Sequence, residues 1–184
     1  MTCMLTDRES RGYKWSCKCD EHSIKRFAGR HDITKLVLAA CIEKKVDAIQ
    51  AVLEFAKARG LEFDINRLFC IEGGPSLFGE DTHYSDGIVT PIFALLMGIL
   101  TMREYDEDPQ ITRCLKLLLE HSANPYIKCR VAENCFPIEI SKFELDVRGL
   151  LRLCRMFQVG SPTAAEELEI VLDAFEMKLG IQDL

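Results

Sequence analysis

The chain of 184 residues has 48% hydrophobic and 28% charged side chains, so it is too apolar to be disordered and long enough to bury a core without disulfides or metals. Its net charge of −6 argues against nucleic-acid binding as the main function, because phosphate contacts need clustered lysines and arginines. The charge is uneven, with a basic excess in residues 1–30 and an acidic excess in residues 163–184. The two ends therefore either attract each other, attract separate partners, or form two solvated faces.

The cysteines and the apolar segments indicate the compartment. There are nine cysteines, an odd number, and several of them, such as Cys41 and Cys154, stand in apolar sequence where a thiol behaves as a small hydrophobic group. No apolar signal-peptide core follows Met1, and the longest apolar run, Ile88–Leu100, is interrupted and too short to span a bilayer. We therefore expect an intracellular protein in a reducing compartment, the cytoplasm or the nucleus, without membrane insertion.

The first part of the chain predicts a polar tail followed by a helix pair. Residues 1–30 are polar and show no sustained period, as in a tail or an irregular cap. Asp32 is placed to cap a helix over Ile33–Glu43. A second helix is predicted over Val46–Arg59, where apolar residues recur at steps of three and four, and Gly60 is suited to the left-handed residue that ends it.

A long glycine-rich loop over residues 69–87 separates this pair from the next helix. Loops of this length are usually functional or disordered. Thr90 is then placed as an N-cap, and Pro91 stands at the first helical position, where a missing N–H costs nothing. These residues predict a helix over Ile92–Met102.

The remaining sequence predicts further helices and no strand, because no segment keeps a two-residue alternation. Asn124-Pro125 is a turn signal, Asp146 is a candidate N-cap, and Thr163-Ala-Ala-Glu166 reads as a capping box. The helices predicted here span Ile111–His121, Phe136–Phe143, Val147–Phe157 and Ala164–Leu179.

Two stretches resemble the ankyrin repeat. Asp86-Gly-Ile-Val-Thr-Pro-Ile-Phe-Ala94 is similar to the opening D-x-x-G-x-T-P-L-H-x-A, with one residue less between Asp and Thr and with Phe93 in the place of His. Cys114–Pro125 is similar to the second helix and exit turn, V-x-L-L-L-E-x-G-A-D-P, with Ser122 in the place of Gly. Residues 101–110 are an insertion between the two. The resemblance is closest over residues 86–130, and residues 31–68 and 131–160 match less well.

The resemblance implies an all-α fold, a short ankyrin-like helix-turn-helix solenoid of about three degenerate repeats. The repeats would occupy residues 31–160, after the tail or cap at 1–30 and before a C-terminal capping helix in 163–184. Thr90, Pro91, Asn124 and Pro125 would be its structural motif residues. The alternative is another helical bundle or solenoid.

The function that the resemblance implies is protein binding. In ankyrin-like folds the hairpin tips and first helices form a concave face for a partner protein, as in an adaptor or scaffold; a stand-alone inhibitor or host-directed effector is the alternative. The inserted loops over 72–87 and 101–109 would then supply specificity. Aromatic side chains dominate binding energy at interfaces. The candidate binding residues are accordingly His83, Tyr84, Tyr105 and Tyr126.

An enzyme, or a subunit that completes another protein's active site, is the other class of function. Asp81, His83 and Asp86 place two carboxylates and an imidazole in one loop, and a cysteine of lowered pKa near a histidine would be a nucleophile. No second half of a catalytic set stands at a recognisable distance, and no cysteine is marked as reactive. We expect neither catalysis nor a cofactor.

One group of residues is a candidate for zinc. Cys17, Cys19 and His22 offer two thiolates and an imidazole, which are ligands that zinc prefers. Their C-x-C-x-x-H spacing differs from the usual C-x₂-C, and a fourth ligand is undefined. The prediction is therefore that these residues belong to a solvated tail and hold no metal.

Overall fold

The computed structural model describes residues 33–71, 87–101, 109–130 and 144–179. This part of the chain is mostly helical, as predicted. A 3₁₀ turn at Gly98–Thr101 directly follows the helix that ends at Met97. The predicted tail over 1–30 and the predicted helix Phe136–Phe143 lie outside the described residues. The helices are α1 (Ile33–Ile42), α2 (Val46–Arg59), α3 (Pro91–Met97), α4 (Pro109–Glu120), α5 (Val147–Phe157) and α6 (Pro162–Leu179).

Four short strands form one antiparallel sheet, so the prediction that the chain has no strand is wrong. The sheet connects successive strands in the order β1-β2-β3-β4. Strands of two or three residues are too short to show an alternation in the sequence, and what defines them is pairing with residues far along the chain. The strands are β1 (Phe69–Ile71), β2 (Gly87–Val89), β3 (Cys129–Arg130) and β4 (Glu144–Leu145).

The helix ends follow local signals closely. Helix α2 has the predicted bounds, and Gly60 ends it at φ 59°, in the left-handed conformation. Ser122 takes the same conformation after α4, at φ 66°, although it is not a glycine. The helix after Thr90 is shorter than predicted, because the α-helix ends at Met97 and the 3₁₀ turn replaces its last part.

The N-caps confirm two predictions and correct a third. The Thr90 hydroxyl accepts the Phe93 N–H at 3.4 Å, and an Asp146 oxygen accepts the Gly149 N–H at 2.8 Å. Helix α6, by contrast, is capped by Ser161, whose hydroxyl accepts the Ala164 N–H at 3.2 Å. The predicted capping box beginning at Thr163 is wrong, since Pro162 occupies the first helical position and sets the cap one residue before it.

The Ser161 cap of helix α6 is expected to stabilise the fold. Replacing Ser161 by alanine removes the cap and is expected to lower the free energy of unfolding by about 1–2 kcal/mol. Thr163→Ala is the matched control, because Thr163 lies inside the helix and its replacement should change stability by less than about 0.5 kcal/mol. Urea denaturation followed by circular dichroism measures both. A larger effect at Thr163 than at Ser161 would restore the capping box.

The helices pack as three pairs that are also in contact with one another. Helix α1 packs on α2, α3 on α4, and α5 on α6. The first helices are in series, since α3 contacts both α1 and α5, and so are the second helices, since α4 contacts both α2 and α6. The C-terminal helix α6 packs on α5, and these two helices form the third of the described pairs.

The core runs through all three pairs and is densest at α3. Every residue from Pro91 to Leu96 is buried, and Phe93 is 0% exposed. A helix that is apolar on all its faces belongs in an interior, and α3 contacts helices of all three pairs. No helix in the described ranges is long and apolar enough to cross a membrane.

Candidate interaction surface

The four-stranded sheet has one buried and one exposed face. Phe69, Val89 and Cys129 point into the protein and are at most 9% exposed. On the opposite side Ile88 is the register partner of Arg130, which in turn pairs with Glu144. Register partners of an antiparallel ladder point to the same side, so these three side chains form a row across the sheet.

The row continues along the segment that leads into β3. Side chains alternate there between exposed Tyr126, Lys128 and Arg130 and the more buried Ile127 and Cys129. We call the exposed set the hairpin face. It is made of Ile88, Tyr126, Lys128, Arg130 and Glu144.

The hairpin face is a mixed surface, apolar at Ile88 and Tyr126 and charged around them. Ile88 is 36% and Tyr126 41% exposed. The Arg130 guanidinium lies 4.0 Å from the Glu144 carboxylate, an exposed contact that contributes little to stability. Such a surface offers hydrophobic contact area together with charges of both signs.

Tyr126 is held in place by an ionic network on the third helix pair. Its hydroxyl donates to the Glu176 carboxylate, which also accepts from Arg148 at 2.6 and 3.1 Å. Arg148 bonds Asp173 as well, at 2.6 Å. Burial and the hydrogen bond to Glu176 raise the pKa of Tyr126 to about 12. The hydroxyl of this predicted binding residue is therefore engaged within the chain, and it is the ring that is open to a partner.

Two carboxylates near Tyr126, those of Glu176 and Asp146, have a lowered pKa. Burial raises the pKa of Glu176, but the hydrogen bonds from Arg148 and Tyr126 outweigh it and hold that pKa below its usual value. The pKa of Asp146 is lowered in the same way, because Lys128 at 2.5 Å and the Gly149 N–H outweigh the effect of burial. The carboxylates of Glu176 and Asp146 are therefore ionised at neutral pH, and both are paired with basic side chains.

The sequence did not mark Asn66, which connects two helix pairs. Its side-chain oxygen accepts the Asn124 N–H at 2.7 Å, and its amide nitrogen donates to the Ser122 carbonyl at 3.2 Å. The sequence signal that could have found it is internal repetition. The Asp64 carboxylate accepts the N–H of the residue two positions further on at 2.9 Å, and the Asn124 side-chain oxygen accepts in the same way after α4. The turn after α2 and the turn after α4 therefore have related geometry.

Replacing Asn66 by alanine is expected to lower the free energy of unfolding by about 1–2 kcal/mol, because both bonds are lost and the Asn124 N–H is left without its acceptor. Gln50→Ala is the control: its bond to Glu54 is exposed and lies within one helix, so a change below about 0.5 kcal/mol is expected. Hydrogen exchange of the Asn124 amide gives a local readout. Unchanged protection of that amide in Asn66→Ala would contradict the bridge.

The buried thiols are poor nucleophiles. Cys41, Cys114, Cys129 and Cys154 are all buried, and none of these four thiols is part of a disulfide. Burial raises the pKa of Cys154 to about 12 and that of Cys41 well above its ordinary value. Burial also raises the pKa of Cys129, although contacts with Thr90, whose hydroxyl lies 3.8 Å from the sulfur, oppose it. These four residues act as small hydrophobic groups of the core.

The other predicted site residues divide into two groups. Thr90 is the cap and Pro91 the first residue of α3, and in the turn after α4 the Asn124 side chain is an acceptor and Pro125 is buried. In the described residues no group of three or more His, Cys, Asp and Glu is arranged to hold a metal ion. The remaining candidates, His83, Tyr84 and Tyr105, the loop Asp81 and Asp86, and Cys17, Cys19 and His22, lie outside the described residues.

Comparison with protein-family models, curated proteins and solved structures found no match for this chain.

Proposed function

We propose that the chain is a short ankyrin-like solenoid that binds another protein through its hairpin face. The serial contacts support the solenoid, because each first helix touches the next first helix and each second helix the next second helix. The connections between pairs also meet in one sheet, as expected when repeat units stack in register.

The single observation that carries the binding role is the row of exposed side chains on this sheet. Ile88, Arg130 and Glu144 stand on a rigid support, since the opposite face of the same strands packs into the core. A partner that fits this row has an apolar side chain to cover Ile88 and charges of both signs around it. Whether the complex serves an adaptor, an inhibitor or an effector follows from the identity of that partner.

The test is site-specific crosslinking in cells. A photoreactive amino acid replaces Ile88 in one variant and Gln50, which is exposed on α2, in a control variant. We expect a defined protein to be crosslinked from position 88 and not from position 50. Equal crosslinking from both positions would contradict the hairpin face.

The captured protein is then purified and its affinity measured with the wild-type chain and with two variants. Arg130→Glu is expected to weaken binding at least about tenfold, because it reverses a charge next to Ile88. The double variant Gln50→Ala, Glu54→Ala is the control and should bind like the wild type. Replacing residues 72–87 and 101–109 by short turns tests the separate proposal that these loops supply specificity.

A further inference from the structure

The third helix pair has an outward face that is unusually apolar. The four most exposed large hydrophobic side chains of the described residues all lie on this pair: Met156 is 71%, Met177 63%, Ile170 62% and Leu179 55% exposed. The remaining ones, on the first two pairs and their connections, are between 36% and 46% exposed. An outward face of a helix pair is normally polar, which prevents association.

Three of them, Met156, Ile170 and Met177, share one surface, to which both helices contribute, whereas Leu179 is nine residues after Ile170 and lies on the opposite side of α6. Ile170 and Met177 are seven residues apart on α6, opposite the buried Leu168 and Leu172 that face the core. On α5, Arg152 and Met156 are four residues apart and also point outwards. A shallow groove joins the two helices. Its lining includes Arg152, Met156, Thr163 and Glu166. We call Arg152, Met156, Glu166, Ile170 and Met177 the end face.

The two helices of this face carry opposite charge. Helix α5 has three arginines and no acidic residue, whereas α6 has five acidic residues and one lysine. The two helices already attract each other within the chain, since Arg155 bonds Glu169 at 2.5 Å. Arg152 and Glu166 are both exposed, on the basic and on the acidic side of the groove.

We propose that the end face binds a second copy of this chain in a two-fold symmetric dimer. A two-fold axis through the groove sets the basic helix α5 of each copy against the acidic helix α6 of the other, so that this favourable contact forms twice. The same arrangement covers Met156, Met177 and Ile170. An unrelated partner with an apolar surface would supply no opposite charges for the basic helix and the acidic helix that lie side by side here. The packing and exposure of the third pair support this dimer independently of the proposed partner of the hairpin face.

The first test is the mass of the full chain in reducing buffer, by sedimentation from about 1 to about 100 µM, a range that includes the dissociation constants of modest interfaces. We expect a concentration-dependent dimer, and a monomer with the same helix content for Ile170→Glu, Met177→Glu. The control is Ile42→Glu, Leu61→Glu, which places two charges at exposed apolar positions of the first pair and should leave the dimer intact. A wild-type monomer at every concentration overturns the proposal, and so does a dimer that survives the end-face variant.

The second test distinguishes a second copy from another occupant. Arg152→Glu and Glu166→Arg should each weaken the dimer at least about tenfold, because each brings like charges together at both halves of the interface. The double variant in one chain exchanges the two signs and should recover most of the affinity. If the double variant dimerises more weakly than either single one, the two-fold pairing of α5 with α6 is wrong.

Discussion

Replacing Gly160 by alanine is expected to lower the free energy of unfolding by about 3 kcal/mol or more, a larger effect than the same change at Gly60, Gly98 or Gly149. Gly160 has φ 70°, a conformation that L-residues rarely adopt. A Cβ at this position would stand 2.1 Å from the Ile99 carbonyl oxygen and 2.8 Å from the Leu100 Cα, both of them backbone atoms. A backbone shift that moved Gly160 away from Ile99 is opposed by a hydrogen bond, because the adjoining Ser161 N–H donates to that same Ile99 carbonyl at 3.3 Å.

Gly60→Ala is the matched control, and the difference between the two variants isolates the close approach. Gly60 has nearly the same φ, 59°, but nothing lies within 4 Å of a Cβ built there. Only the conformational strain remains, about 1 kcal/mol. Chemical denaturation of both variants, followed by circular dichroism, gives the two values. Equal losses at the two glycines would mean that the turn after α5 does not press against the 3₁₀ segment.

Helix positions could be predicted from the sequence where the signal was local. Val46–Arg59 and Val147–Phe157 have the predicted bounds because the cap, the apolar period and the end signal of each lie within a few residues. The same holds for Thr90, whose hydroxyl needs only the N–H three residues further on. A single sequence contains all of this information.

What could not be predicted depends on contacts between distant residues. The strands are defined by register partners such as Ile88 and Arg130, 42 positions apart, and neither segment is long enough to show a period. The pairing of α6 with α5 could not be predicted from the sequence for a related reason. An amphipathic helix after a turn reads the same whether it ends a stack or completes a pair, and only its contacts distinguish the two.

Of the candidate site, the sequence predicts one residue, Tyr126, because aromatic side chains dominate binding energy at interfaces. The structure adds that its hydroxyl is bound to Glu176, 50 positions further on. The rest of the hairpin face had no sequence signal, because an isoleucine, an arginine and a glutamate form a row only once the strands have paired. The end face was partly visible as the acidic excess at the C-terminal end of the chain.

The two proposed surfaces are compatible, since they lie on different elements. Ile88, Arg130 and Glu144 belong to strands, whereas Arg152, Ile170 and Met177 belong to the last helix pair. A dimer formed through the end face would carry two hairpin faces and bind a multivalent partner more tightly than one copy does, by the effect of local concentration. The end-face variant Ile170→Glu, Met177→Glu would then lower avidity without changing the affinity of a single hairpin face.

Phe93→His is expected to lower the free energy of unfolding by about 3 kcal/mol at pH 8, although histidine is the residue that the ankyrin motif has at the similar position. Phe93 is 0% exposed in a helix that is buried on all its faces. An imidazole there loses apolar contact and brings a polar ring into surroundings made for a phenyl group, which costs about 1–3 kcal/mol without a new hydrogen bond. Phe93→Leu keeps the site apolar and is expected to cost only about 1–1.5 kcal/mol.

The pH dependence separates burial of a polar group from simple loss of volume. Burial favours the neutral imidazole, so the folded-state pKa of a histidine at position 93 should lie below its unfolded value of about 6.5. The variant should therefore lose further stability, relative to the wild type, as the pH falls below about 6.5, because the unfolded state binds a proton that the folded state excludes. Phe93→Leu should show no such change. Denaturation of all three proteins at pH 8 and pH 5.5 makes the comparison. A histidine variant that is as stable as the leucine variant at both pH values would contradict the burial of position 93.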